Sequence, residues 1–216
     1  MSRFALIPLL ICHFVALSTS SAQDPAAVIQ EMNLARQNPQ LYASFIEEMR
    51  PRFSGKVMVR PGGVNLRTKE GVGALDDAIR FLRRAKPQQP LALSPGLCRA
   101  AADHCADRAS GGTGHRGSDR STPSQRISRY GDWSDMCAEN ISYGPSSARD
   151  VVLALIIDDG LRHRKHRKNI FNATFNFAGA AFGPHSQYGT MCSMSFAGGY
   201  VENGRGQSDK RIARNF

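Results

Sequence analysis

Apolar positions at helical spacing dominate the first half of the chain. Asp24-Pro25 supplies a helix start in the preferred N-cap then N1 order, and Val28, Met32 and Ala35 fall on one stripe behind it. Pro39 interrupts that helix, and Leu41, Tyr42, Phe45, Ile46 and Met49 continue as a second amphipathic piece that Pro51 ends. Residues 52–73 hold Pro61-Gly62-Gly63 between short β-branched runs and predict a loop or small hairpin. Leu75, Ala78, Ile79 and Leu82 then repeat at i, i+3, i+4 and i+7. Ser94-Pro95 opens a further helix over about 95–109, before Gly111, Gly112 and Gly114 break it.

The second half changes period. Residues 136–143 and 177–182 read as strands, and 190–196 as a third with looser alternation. A helix over 147–159 lies between the first two, with Val151, Val152, Leu155 and Ile156 on its apolar face. Helices lead and strands follow, which predicts a single α+β domain with helices packed on its sheet. A length of 216 residues fits one domain, and 41% hydrophobic residues is too many for a chain disordered throughout. No internal repeat is visible.

The two ends of the chain alter how the composition is read. Arg3, an apolar stretch from Phe4 to Leu17 and the small-x-small Ser20-Ser21-Ala22 predict a secretory signal peptide over residues 1–22. That apolar run, about 14 residues, falls short of the roughly 20 that span a bilayer. No later segment is apolar enough to cross one, so the expected product is secreted, extracellular or periplasmic. Residues 203–216 are polar and basic and predict a flexible tail. The net charge of +10 divides into +1 in the leader, +5 in Arg162–Lys168, +3 in the tail and +1 elsewhere. Basicity confined to one run and one tail argues against a nucleic-acid-binding domain.

Removing the leader leaves Cys98, Cys105, Cys137 and Cys192. An even count in an oxidising compartment predicts two disulfides, and C-x-x-C metal spacing is absent. Cys98 and Cys105 lie seven apart in one expected helix, about 10 Å along its axis and too far to bridge, so each would pair with Cys137 or Cys192. Four buried free thiols are the alternative.

Three local patterns carry candidate chemistry: Gly114-His115-Arg116-Gly117 after the glycine break, Ala138-Glu139-Asn140-Ile141 in a strand, and the run from Arg162 to Ile170 with His163 and His166, preceded by Asp158-Asp159. Singly, a loop histidine, a strand glutamate and a basic run are ordinary surface features. His163 reads as a solvated histidine, and His104 and His185 as packed ones. Asn140-Ile141-Ser142 and Asn172-Ala173-Thr174 match the glycosylation sequon, and Asn140 beside Glu139 reads as structural.

In this order and spacing the patterns resemble the CAP superfamily, the SCP domain of cysteine-rich secretory, venom-antigen and plant pathogenesis-related proteins, with the flavour of secreted bacterial members. The resemblance begins at Glu31-Met32-Asn33-Leu34-Ala35-Arg36. It continues through Pro90-Leu91, the 97–107 helix, Gly114-His115, Ala138-Glu139-Asn140-Ile141 and His166-Arg167-Lys168-Asn169-Ile170. It closes on residues 179–183, Tyr188-Gly189 and Phe196-Ala197, so the domain spans residues 26–200. It implies a three-layer α-β-α sandwich with two histidines and two acids facing one cleft. His115, His166 and Glu139 match by motif. The second acid departs from the family's glutamate: Asp158 or Asp159 must serve, and Asp158 is favoured because it lies seven after Val151 and three after Leu155. Ala138 and Lys165 also stand where the family has glycine.

Two neutral imidazoles, His115 and His166, suit a divalent metal (Zn, Mg or Ca), with water completing the shell and a carboxylate orienting the rings. The expected function is a binding module whose ligand is a divalent cation, a lipid or sterol, or an anionic cell-surface component. One alternative is a metal-assisted hydrolase with Glu139 as candidate catalytic base. The other is a polyanion-binding interaction protein without a functional cleft. The sequence has no H-E-x-x-H and no G-x-S-x-G, and no cysteine is expected to stay free as a nucleophile.

Overall fold

The computed structural model describes residues 24–60 and 64–203. The expected leader, the Pro61-Gly62-Gly63 turn and the tail from residue 204 lie outside the described residues. Helix α1 (Pro25–Gln37) starts where Asp24 accepts a 2.9 Å hydrogen bond from the Ala26 amide, and α2 (Pro39–Glu47) starts afresh after the Pro39 break. A 3-10 turn at Arg50–Arg52 follows. In place of a simple hairpin, β1 (Phe53–Ser54), β2 (Val57–Met58) and β3 (Leu66–Arg67) form a small antiparallel sheet in the order β1-β2-β3.

Helix α3 (Val72–Arg84) buries the expected stripe, Leu75, Ala78, Ile79 and Leu82, and each large aliphatic side chain so buried contributes about 1.5–3 kcal/mol. The two-residue β4 (Ala92–Leu93) leads into α4 (Pro95–Asp107), capped by Ser94 through the Leu97 amide. Helix α5 (Pro123–Ser128) precedes the long β5 (Gly131–Tyr143). Helices α6 (Ala148–Ile157) and α7 (Lys165–Ile170) precede β6 (Phe177–His185) and β7 (Gly189–Glu202).

The main sheet runs β4-β6-β7-β5, with β4 parallel to β6 and the other pairs antiparallel. Alternation along β7 sorts its two faces. Cys192, Met194 and Phe196 enter the large core with α1, α2, α3 and α6, whereas Met191 and Ala197 join the smaller clusters beneath α4 and α5. Helices therefore cover both faces of one sheet, and the fold is an α-β-α sandwich in a single domain. Layer α4 lies very close to β6: a Cβ on Gly179 would stand 2.2 Å from the Cys98 amide nitrogen.

Arg36, wholly buried, locks the opposite layer. Its guanidinium donates to the carbonyls of Gln89, Ile170, Asn172 and Phe175, so a buried cation has its donors matched by backbone acceptors. Three residues earlier, Asn33 exchanges hydrogen bonds with both backbone groups of Leu91.

The two expected disulfides are not formed: Cys98, Cys105, Cys137 and Cys192 are all free. The layering separates Cys192 from both cysteines of α4. Cys105 and Cys192 pack on opposite faces of the sheet, in different clusters. Cys98 lies against β6 and Cys137 sits on β5, with β7 between those strands. Burial raises all four thiol pKa values, that of Cys105 to about 11, which keeps them protonated and unreactive.

Candidate functional site

Strand β5 pairs on one side with β7 and, among the described residues, has no strand on the other, where α5 and α7 pack against it. Consecutive residues on a strand point to opposite faces. Glu139 turns toward the α4/α5 layer and Asn140 toward α7, and each holds one histidine element.

On the Glu139 side, the side chain is only 1% exposed. Its carboxylate accepts from Arg126 Nη2 at 2.7 Å, His115 Nδ1 at 2.9 Å and Ser193 Oγ at 3.3 Å. Arg126 is buried too, and it also donates to the His115 and Ser121 carbonyls, so one guanidinium fixes both the acid and the loop that brings the histidine. Helix α5 presents Arg126 from a capping box in which Thr122 and Gln125 satisfy each other's ends. The loop is pinned again at Gly114, whose left-handed φ of 96° suits glycine. The Gly114 carbonyl accepts from His104 Nε2 at 3.0 Å, and its amide donates to the Tyr143 hydroxyl at 3.1 Å.

Burial opposes ionisation of Glu139, but the hydrogen bond from His115 and the adjacent His104 and Arg126 outweigh it and hold the carboxyl below its ordinary value. Burial also lowers the His104 pKa, which keeps that ring neutral, with its Nδ1 unpartnered. Of these two neighbours, Arg126 is therefore the one that supplies a positive charge to Glu139 at neutral pH.

On the other side, Asn140 Nδ2 donates to the His166 carbonyl at 3.0 Å and its Oδ1 accepts from Asn169 at 2.8 Å. Asn140 is wholly buried, so its sequon is out of reach of modification. Asp158 ends α6 in the left-handed conformation, φ 56°. Its carboxylate accepts from the His166 amide at 3.0 Å, an N-terminal donor of α7 with no partner inside its helix, and from His166 Nδ1 at 2.8 Å. Asp159 turns away and accepts from the Lys69 and Glu70 amides.

The structure thus forms two imidazole–carboxylate pairs, His115–Glu139 and His166–Asp158, each tethered to one of two adjacent residues of β5. A carboxylate only accepts, so Nδ1 carries the proton in each pair. Neither Nε2 has a hydrogen-bond partner among the described residues. Among those residues no group of three or more His, Cys, Asp and Glu side chains is arranged to hold a metal ion. Were a divalent ion held here, His115 and His166 would each supply one Nε2, with water completing its shell.

The other histidines stand apart. His163 is exposed beside α7, and His185 Nε2 meets the Gly112 carbonyl at 2.9 Å. Arg126 is the site residue that sequence reasoning missed. The Thr122-x-x-Gln125 capping signal was available to place a helix there, though not to show where that helix aims its arginine.

The basic run is not one hydrated face. Arg167 is buried and bonds Asp77 and the Ile156 and Ile157 carbonyls, while Arg164 bonds Glu70 and Asp77.

The cysteine-rich secretory protein (CAP) family model matches residues 77–196. No curated protein matches the chain. Among solved structures, an extracellular protein containing a SCP domain from Bacillus anthracis is similar at 18% identity and a TM-score of 0.42, over 56% of this chain and 37% of that one. An outer surface protein from Borrelia burgdorferi is similar at 15% identity and the same TM-score, over 76% of this chain and 93% of that one. The chain thus spans little more than a third of the first of these proteins. No helix among the described residues is long and apolar enough to cross a membrane.

Proposed function

Because the chain belongs to the CAP family of cysteine-rich secretory proteins, we propose that it is an exported binding module whose cleft at the β5 edge takes a divalent cation through His115 and His166. The observation that carries this reading is the engagement of each Nδ1 by a buried carboxylate, Glu139 at 2.9 Å and Asp158 at 2.8 Å. Such pairing fixes ring orientation and tautomer and leaves Nε2 available to coordinate. Imidazole donors suit zinc and its neighbours, whereas magnesium and calcium favour oxygen shells. Export rests on the leader pattern of residues 1–22.

The hydrolase reading gains less support. A general base works best with a pKa near the operating pH. Glu139 is held in the opposite direction and already accepts three hydrogen bonds.

Calorimetric titration of the purified chain with zinc chloride tests the proposal. One ion should bind per chain. Asp158→Asn should weaken binding by about 10–100-fold, since it alters the acceptor that orients His166. Combined His115→Ala and His166→Ala should abolish binding, and wild-type affinity in that double variant would sink the proposal.

A further inference from the structure

A concavity lined by none of the four paired residues lies between α3 and the segment 162–168. It encloses about 530 Å³ and has Phe81 and Ala85 among its lining. That volume is within the range of small-molecule sites, about 300–1,000 Å³. Its lining is dominated by cations from two separate stretches of chain: Arg80 and Arg84 on α3, and Arg162, Arg164, Arg167 and Lys168 opposite.

These cations fall into two groups. Arg164 and Arg167 are committed to the fold: both reach Asp77 across the groove, at 2.9 and 3.0 Å. That bridge ties α7 to α3, and Arg167 additionally stacks over Phe81 at 5.2 Å, with Phe171 against the other ring's edge. The walls are therefore fixed before any ligand arrives. Arg84, Arg162 and Lys168 are exposed and have no ion pair among the described residues. Arg80 has a single exposed contact with Asp77 at 3.7 Å, which is worth little. The lone carboxylate of the groove is already shared by two buried or half-buried guanidinium groups, so at least three positive charges face one another uncompensated.

We infer that this groove binds a compact anion carrying two or more phosphate groups, held by Arg84, Arg162 and Lys168. Guanidinium forks match phosphate oxygens in paired hydrogen bonds, and the number of free cations exceeds what one phosphate neutralises. The pre-set walls limit the ordering cost of binding to three long side chains. None of these residues belongs to the histidine pairs, so the site stands independently of the cation reading.

Calorimetry on the purified chain with tripolyphosphate and with orthophosphate tests the inference. Phosphatidylcholine vesicles containing phosphatidylinositol bisphosphate form a second arm, and a DNA duplex a third. Tripolyphosphate should bind more tightly than orthophosphate. Arg84→Gln, Arg162→Gln and Lys168→Gln combined should weaken it at least about tenfold without lowering the melting temperature. His115→Ala should leave it unchanged. Tighter binding to the vesicles than to tripolyphosphate would identify a lipid headgroup as the source of the phosphates, and the reverse a soluble anion. Equal affinity in the triple variant, no preference over orthophosphate, no binding at all, or tighter binding of the DNA duplex would each overturn the inference.

Discussion

A carboxylate buried as deeply as Glu139 loses the hydration that keeps it charged, and Arg126, His115 and Ser193 replace that hydration with aimed donors. Arg126 is itself 2% exposed, so each ion of this pair depends on the other. Arg126→Met should therefore cost about 3–5 kcal/mol of unfolding free energy, because it strands the Glu139 charge. Adding Glu139→Met should restore much of that loss, and urea unfolding of the four-member cycle measures the coupling. A cost near zero for Arg126→Met would show that water reaches Glu139. His115, Glu139 and His166 lie in short sequence motifs, and Asp158 at a set distance from the apolar stripe of α6. Arg126 was not readable, because its meaning comes from a contact thirteen residues away that no local pattern encodes.

At the scale of elements, the helices α1, α2, α3, α4 and α6 follow from apolar spacing and caps, α1, α4 and α6 burying apolar residues toward the sheet and α2 and α3 burying theirs against neighbouring helices. The six-residue α5 and α7 are under two turns long and show no period to read. Strand β5 begins five residues earlier than its apolar pattern suggests, because its first half is exposed and is held by pairing with the end of β7. The contact of α4 with β6 depends on glycine. A Cβ at residue 179 would meet backbone atoms of Leu97 and Cys98 at 2.4 and 2.2 Å, and those atoms cannot swing aside as a side-chain tip would. Gly179→Ala should accordingly cost about 3 kcal/mol or more. Thermal unfolding checks it, and a wild-type midpoint would mean that α4 slides freely on the sheet.

For the whole molecule, stability should fall on acidification. His104 is neutral in the fold because burial lowers its pKa from an ordinary 6.5. Below that value the unfolded chain binds a proton that the native state refuses, so stability declines as pH drops through 6.5 toward the folded value. Glu139, depressed below an ordinary 4.5, adds a second decline below that pH, since its ionised form is native. Denaturant midpoints measured across this range should separate wild type from His104→Gln in the upper part only, and parallel curves would remove His104 as the cause. The architecture as a whole was legible from the order of helices and strands. The disulfides were misjudged because counting cysteines cannot say which face of a sheet each one occupies.

Glu139 and Asn140 grip the two histidine elements from opposite faces of β5, and among the described residues the strand that pairs with β5 is β7, the last one. Side chains alternate with a period of two, so a slip of one residue would turn both grips to the wrong side together. The pairing of both histidines is therefore a checksum on strand register. It also carries a clock: an emerging chain that has not yet delivered residues 189–202 has no partner for β5. Both histidine pairs thus depend on β7 being in place beside β5.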